Sequence, residues 1–415
     1  MANIPPSAVP PGRTDETADD LYELANRLAG QGRLGEAAQA YRRTIDRAPG
    51  APEVHNNLAN VLSALGRGDE ALDHYDRALA LGLDHPVVHY NRANLLKGLD
   101  RLDEAVAGYV RALELDPAYA DAFNNLGNAL RDLHHNEAAA DAYLAALTAR
   151  PDHPAAHSNL PPVLYLLHEA GQEAMARERV ARWVELAPDN PLARHTAAAL
   201  GQAGAPPRAS EDYVRQTFDR FAEEFDARLT GLDYRAPALI AEALGAELPR
   251  AAGDLAILDA GCGTGLSGLG LRPYARTLIG LDLSPGMLAR AAERGLYDRL
   301  EEADLTAWLA APQCPVLDVI AAADVLCYFG QLDEIMARLA GALTPGGRLA
   351  FTLERADGDD VVLRPHGRYA HAENYVRRRL AAAGLAARRV SREIMRRESG
   401  RPVEGFLVLA VRDRG

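Results

Sequence analysis

Leu258-Asp259-Ala260-Gly261-Cys262-Gly263-Thr264-Gly265 decides how the second half of this 415-residue chain is read. An apolar run enters a turn whose alternate residues are glycine, and a helix pattern follows from Leu266. Glycine at 261, 263 and 265 lets main chain approach a ligand with no Cβ between them and adopt positive φ where the turn needs it. A dinucleotide fingerprint would require glycine at 266 to seat a pyrophosphate on the helix N-terminus, and Leu266 stands there. With Asp259 in the strand, the loop suits a cofactor that presents an amino group and no phosphate.

The elements that should follow such a loop do so in order. Thr277-Leu278-Ile279-Gly280-Leu281-Asp282 is an apolar strand ending in a carboxylate, where a doubly wound sheet presents an acid to ribose hydroxyls. Ser284 and Pro285 then fit the N-cap and first position of a helix. Val316 to Ala323 is apolar apart from Asp318, as in a central parallel strand covered on both faces, and Asp324 to Phe329 follows at its carboxyl edge. A strand ending at Glu302-Ala303-Asp304-Leu305, a strand over Arg348 to Glu354, a helix near Ala372 to Ala383, and strands at about 387–395 and 404–412 complete a seven-stranded count.

This segment resembles motif I and the following elements of the class I S-adenosylmethionine-dependent methyltransferases. The resemblance implies S-adenosylmethionine as cofactor and S-adenosylhomocysteine as product. It places Asp259, Gly261, Cys262, Gly263 and Gly265 in the cofactor loop, Asp282 on the ribose, Leu283 and Met287 along the adenine, Asp304 with Leu305 at its amino group, and Asp324 among the cofactor contacts. Asp259 and Asp304 also fit as plain helix caps. Tyr213, Phe218, Phe221 and Phe225 stripe a helix ahead of the first strand, and such stripes usually face the core. In the resembled family an aromatic followed by Asp closes over the sulfonium; Phe225 matches it and Tyr234 follows, with cation–π attraction as the physical reason.

Candidates for a proton acceptor or orienting group are Asp324, Tyr328, Tyr369 and His371. Gly367-Arg368-Tyr369-Ala370-His371 is similar to the R-Y-x-H stretch of a bacterial group of repeat-containing methyltransferases, which implies a substrate contact at Arg368. His371 has the intrinsic pKa of a base, with a cap or substrate hydrogen bond as the alternative. No N-P-P-Y or D-P-P-Y stands after the fourth strand, which counts against amino-group methylation of a base or a glutamine amide.

The first half repeats every 34 residues. Leu58, Ala59, Ala71, Tyr75 and Ala78 correspond to Arg92, Ala93, Ala105, Tyr109 and Ala112, then to Leu126, Gly127, Ala139, Tyr143 and Ala146. The pattern resembles tetratricopeptide repeats, helix pairs that bury their small residues only against neighbours. A fifth block from Pro154 carries Pro161-Pro162 within its first helix, where a kink is expected. Asn57, Asn91, Asn125 and Asn159 share one repeat position, and Asn26, Asn60, Asn94 and Asn128 another three residues on, hence one helix face. Such columns are similar to the asparagine ladders of O-linked N-acetylglucosamine transferases, which implies pairing with the backbone of a peptide or protein substrate. The alternative is that they bridge repeats.

The expected organisation is therefore α plus α/β. A disordered tail spans 1–17, a helical-repeat solenoid of about five pairs plus cap 18–200, a linker 201–210, and a Rossmann-like methyltransferase domain 211–415. A formal charge of −13 and a single lysine, Lys97, argue against a broad nucleic-acid surface. The clusters Arg377-Arg378-Arg379, Arg388-Arg389 and Arg396-Arg397 are expected on solvated faces. Three cysteines in no metal or disulfide spacing imply a reducing cytoplasm and no metal. The tail lacks signal-peptide character, and no apolar run approaches a membrane span. The expected function is methylation of a peptide or protein recruited by the repeats. The alternatives are a small-molecule methyltransferase whose repeats serve assembly, and a non-catalytic cofactor-sensing scaffold.

Overall fold

The computed structural model describes residues 16–219, 221–248, 251–358, 360–398 and 400–414, without the side chain at 228. The expected disordered tail falls outside them up to residue 15, and Thr17 is already the N-cap of the first helix. Contacts divide the chain into two compact units, up to Val163 and from Leu164.

In the first unit the helices Ala18–Gly30, Leu34–Arg47, Pro52–Ala64, Gly68–Ala80, Pro86–Gly98, Leu102–Leu115, Ala120–Asp132 and Asn136–Ala149 form four antiparallel pairs. Each pair closes around a tyrosine from its second helix, and Tyr41, Tyr75, Tyr109 and Tyr143 are all buried. The small-residue column explains the fit: a Cβ at Gly127 would lie 2.6 Å from the Tyr143 ring. Within each pair the turn needs one left-handed residue. Gly32 and Gly66 supply it in two repeats, whereas Asp100 (φ 60°) and His134 (φ 62°) hold it in the next two. The helix Pro154–Glu169 runs through Pro161 and Pro162.

The second unit contains the helices Glu173–Leu186 and Pro191–Ala199 and a nine-stranded sheet. Its strands are β1 (Leu255–Ala260), β2 (Ala275–Asp282), β3 (Arg299–Glu302), β4 (Leu317–Ala322), β5 (Leu343–Arg355), β6 (Val361–Leu363), β7 (Tyr369–His371), β8 (Leu385–Glu398) and β9 (Arg401–Arg412). Parallel pairing runs β3-β2-β1-β4-β5, after which β9 joins β5 antiparallel and β8 joins β9. These are the seven expected strands. The hairpin β6–β7 is additional; β7 pairs parallel with the last two residues of β5, Glu354 and Arg355. Ile257, Leu278, Val319, Ala321, Leu407 and Leu409 form one apolar face of the sheet, covered by Leu239, Ile240, Ala243 and Leu244 of the helix Ala236–Glu247. Strand order reverses between β1 and β4, and loops leaving their carboxyl ends diverge to leave a crevice.

The segment expected as a linker is held to this unit from residue 206 on. Pro206 O accepts from the Tyr369 hydroxyl (2.6 Å), Pro207 O accepts from the Gly330 and Gln331 amides, and the Ala209 amide donates to Tyr328 O. The helix Pro191–Ala199 joins it too: His195 Nε2 lies 2.8 Å from Gly367 O, and its ring packs on Tyr213 at 3.9 Å between centroids. Among the described residues no helix is long and apolar enough to cross a membrane, and no cluster of His, Cys, Asp and Glu could hold a metal.

Candidate functional site

The crevice at the β1/β4 switch is a cleft of about 1290 Å³ including its open mouth. Gly261 (φ 66°) and Gly263 (φ 54°) line it, each in a conformation that side chains resist. A Cβ on Gly261 would meet Val325 Cγ2 at 2.3 Å, whereas one on Gly263 would point into the cleft with only Phe225 at 4.0 Å. Position 261 is thus glycine for packing, and 263 leaves ligand space. Gly265 does not line the cleft. It caps the helix Leu266–Leu271 in left-handed geometry and makes room for Tyr297, whose ring lies 3.0 Å from its ideal Cβ.

Asp282 closes the end of β2. Its Oδ2 accepts from the Gly263 amide and its Oδ1 from the Ser284 amide, both at 2.9 Å. Burial raises its pKa against these hydrogen bonds, yet each oxygen keeps a lone pair for a hydroxyl in the cleft. Ser284 caps the helix Pro285–Glu293 by accepting from the Met287 amide, which sets Leu283 and Met287 along the cleft wall. Asp304 caps the helix Leu305–Ala310 and also accepts from Arg208 at 2.9 Å; Leu305 lies beside it in the wall.

Asp259 departs from expectation. It is fully buried beneath the glycine loop and does not line the cleft. Its Oδ2 accepts from the Tyr297 hydroxyl (2.6 Å), and burial lifts its pKa to about 7. A strand residue at this position points under the turn, where a carboxyl bonds tyrosine rather than ligand.

The expected striped helix is two, Glu211–Asp219 and Phe225–Gly231, and of its four aromatics Phe218 and Phe225 line the cleft while Tyr213 and Phe221 do not. Phe225, Phe218, Tyr234 and Tyr328 line the cleft, with Phe218 edge-on to both Phe225 and Tyr328. Asp226, the residue after Phe225, accepts from the Thr264 hydroxyl and pairs with Arg294, so the aromatic helix is fastened directly to the glycine loop.

R-Y-x-H divides across a strand. Side chains alternate between sheet faces, and Arg368 enters the cleft while Tyr369 and His371 face away. Tyr369 is 1% exposed and bonds Pro206; His371 is 0% exposed, its Nε2 3.3 Å from Gly330 O. Burial lowers the His371 pKa to about 4. Neither residue reaches the cleft, so both catalytic assignments are corrected to structural ones. Asp324 does reach it, at a strained positive φ of 55°, and Tyr328 contributes its ring while burial pushes its hydroxyl pKa up.

Asp324 belongs to a buried ion network that local pattern could not reveal. Its Oδ1 accepts from the Thr352 hydroxyl, and its Oδ2 lies 3.5 Å from Arg368 Nη1 and 3.6 Å from Arg396 Nη1. Glu354 accepts from Arg396 Nη2 at 2.6 Å and lies near Arg368 and His366. Burial would raise Glu354, but His366 and the two guanidiniums hold it well below the usual carboxylate range. Arg396 was expected on a solvated face with Arg397; it is 2% exposed. A register shift between Ile394 and Arg396 breaks the alternation of β8, so Met395 and Arg396 both turn inward.

The asparagine columns, in the first unit, are wired to one another. The Tyr41, Tyr75, Tyr109 and Tyr143 hydroxyls donate to Oδ1 of Asn26, Asn60, Asn94 and Asn128 at 2.5–2.9 Å. The same oxygens accept from Nδ2 of Asn57, Asn91, Asn125 and Asn159 at 2.9–3.3 Å. The acceptor half of the ladder therefore bridges repeats, and Nδ2 of Asn60 and Asn94 makes no hydrogen bond among the described residues.

Known families match both halves. A pattern described as a methyltransferase domain matches residues 258–349, and tetratricopeptide repeat patterns match 22–86, 99–133 and 124–191. A methyltransferase domain follows tetratricopeptide repeats in this chain. The chain is 45% identical over 84 residues to methyltransferase-like protein 27 of Homo sapiens, a stretch covering 20% of this chain and 34% of that protein. It is 38% identical over 108 residues to trans-aconitate 2-methyltransferase of Variovorax paradoxus, covering 26% and 40%. It is also 35% identical over 141 residues to malonyl-[acyl-carrier protein] O-methyltransferase of Pectobacterium atrosepticum, covering 34% and 49%. The chain thus spans less than half the length of each of these relatives. The methyltransferase domain fits S-adenosylmethionine: glycine leaves space at 263, Asp282 has lone pairs for a ribose, and aromatic rings face the cleft that would take the sulfonium.

Proposed function

We propose that this chain is an S-adenosylmethionine-dependent methyltransferase whose repeats recruit a peptide or protein for modification. The observation that carries the activity is the pairing of Asp282 with the Gly263 amide at the rim of an aromatic-lined cleft. The ribose would sit on Asp282, the adenine against Leu283, Met287 and Leu305 with Asp304 at its edge, and the sulfonium near Phe225 and Tyr234. Bound there, the cofactor supplies an electrophilic methyl group, and the protein's task is to align an acceptor with it.

Recruitment is supported by the half-exposed amides of Asn60 and Asn94, whose unused N–H groups suit the carbonyls of an extended chain. The second reading, a small-molecule acceptor with repeats used for assembly, is favoured by the relative that acts on trans-aconitate. Methyl-tritiated cofactor incubated with a lysate separates them: label in protein or peptide supports recruitment, and label confined to small molecules supports the second reading. Calorimetry with S-adenosylhomocysteine tests the cofactor site directly, and a protein that fails to bind it has a different function.

A further inference from the structure

Beyond the cofactor half, the cleft is lined by Arg368, Arg396 and Glu398, and the chemistry left open there is one-sided. Each carboxylate at this end of the cleft, Asp324, Glu354 and Glu398, already has a guanidinium partner. Both oxygens of Glu354 are engaged, one by Arg396 and the other by His366. Asp324 gives one oxygen to Thr352 and holds the other between two guanidiniums. Glu398 accepts from Arg396 Nε at 2.6 Å. Donors remain. Arg396 Nη1 is buried with no hydrogen-bond partner among the described residues. Arg368 touches its carboxylates only through Nη1, at 3.4 and 3.5 Å, and its Nε and Nη2 make no hydrogen bond among the described residues. Its side chain is a quarter exposed and lines the cleft.

A buried guanidinium nitrogen without an acceptor, such as Arg396 Nη1, is costly to keep out of water. The edge of Arg368 offers two parallel N–H bonds of the spacing that carboxylates fill. An ammonium acceptor would have to compete with Arg368 and Arg396 for the carboxylates at this end.

We infer that the acceptor is a carboxylate held by Arg368, with Asp324, Glu354 and Arg396 positioning that guanidinium, so that the product is a methyl ester. The inference rests on the methyltransferase reading above. In the step, a carboxylate oxygen bonds to the methyl carbon, and the carbon–sulfur bond breaks with its electron pair passing to sulfur, whose positive charge is cancelled. No proton is transferred. That balance requires no general base: His371 faces elsewhere, the Tyr328 and Tyr234 hydroxyls are pushed upward by burial, and Asp324 is committed to its partners.

The test uses the full chain loaded with S-adenosylhomocysteine and titrated calorimetrically with formate, malonate and trans-aconitate, with methylamine and chloride at equal ionic strength as controls. At least one carboxylate binds while the controls do not. Arg368→Gln weakens that binding at least tenfold and leaves S-adenosylhomocysteine affinity within threefold. Arg368→Lys, which keeps the charge without the fork, recovers only part of the loss. Methyl label transferred to lysate components is released as volatile methanol by mild alkali. The inference is overturned if the loaded protein binds no carboxylate of the series, if Arg368→Gln binds as well as wild type, or if the label is stable to alkali. Failure to bind S-adenosylhomocysteine at all would instead remove the cofactor reading beneath it.

Discussion

Replacing Asp282 by alanine removes a carboxylate with two separable tasks. Its oxygens hold the Gly263 and Ser284 amides at 2.9 Å, and they face the space assigned to the ribose. A hydrogen bond to a charged acceptor is worth roughly 1.5–3 kcal/mol. Loss of the ribose contact alone should therefore weaken S-adenosylhomocysteine by about 10- to 150-fold, at about 1.4 kcal/mol per factor of ten. The freed Gly263 amide borders the cleft and can bond water, whereas Ser284 is buried, so the variant loses some stability while its far-UV circular dichroism should be unchanged. Asp282→Asn separates the tasks: its carbonyl oxygen can hold one amide and still accept from the ribose, while its NH2 cannot accept from the second amide, and its affinity should fall between those of wild type and alanine. Calorimetry on the three proteins is the assay. Alanine affinity within threefold of wild type, in a protein shown to be folded, would remove Asp282 from the cofactor site and with it the chemical basis of the proposed function.

Asp259 titrates near 7 in the folded chain and near its ordinary value when unfolded, so the folded state binds the extra proton between these values. Its contribution to stability is fully present below about pH 4 and is lost as pH rises to 7, at roughly 1.4 kcal/mol per pH unit. Asp259→Asn should keep a Tyr297 partner without that slope, so its melting temperature should gain on wild type between pH 5 and 7; parallel profiles would refute the buried-acid account. In the repeats, Asn94→Ala strands the buried Tyr109 hydroxyl, and the double-mutant cycle with Tyr109→Phe should show a coupling of about 1–2 kcal/mol in denaturant unfolding. Additive effects would deny the ladder its bridging role. His371→Gln should leave kcat within about threefold on any acceptor identified, because a general base contributes 10²–10⁴-fold and this imidazole is outside the cleft. A hundredfold fall in kcat with normal stability would restore His371 as the base.

Much of the fold is legible because its signals are local. A 34-residue period can be satisfied only by stacking like units, and Gly-x-Gly-x-Gly between an apolar strand and a helix announces bare main chain at a sheet edge. Asp282, Leu283, Met287 and Asp304 reach the cleft because each ends a strand or starts a helix in a doubly wound sheet. The β6–β7 hairpin was not legible: three residues per strand carry no period. Alternation in R-Y-x-H was visible in principle, since residues two apart share a face, and it separates Arg368 from both Tyr369 and His371.

What the sequence by itself determined is the repeat helices and the seven main strands with the glycine turn between β1 and its helix, since periodicity and glycine act over a few residues. Tertiary structure alone decided the partners. Asp259 meets Tyr297, Asp304 meets Arg208, and Asp324 meets Thr352, Arg368 and Arg396 across 28 to 96 positions of chain. A bulge in β8 turned Arg396 inward, although its charge and its neighbour Arg397 read as surface. Charge and hydrogen-bonding energies depend on what lies within a few ångströms and how much water is excluded, and neither quantity exists until the sheet has brought distant strand ends together.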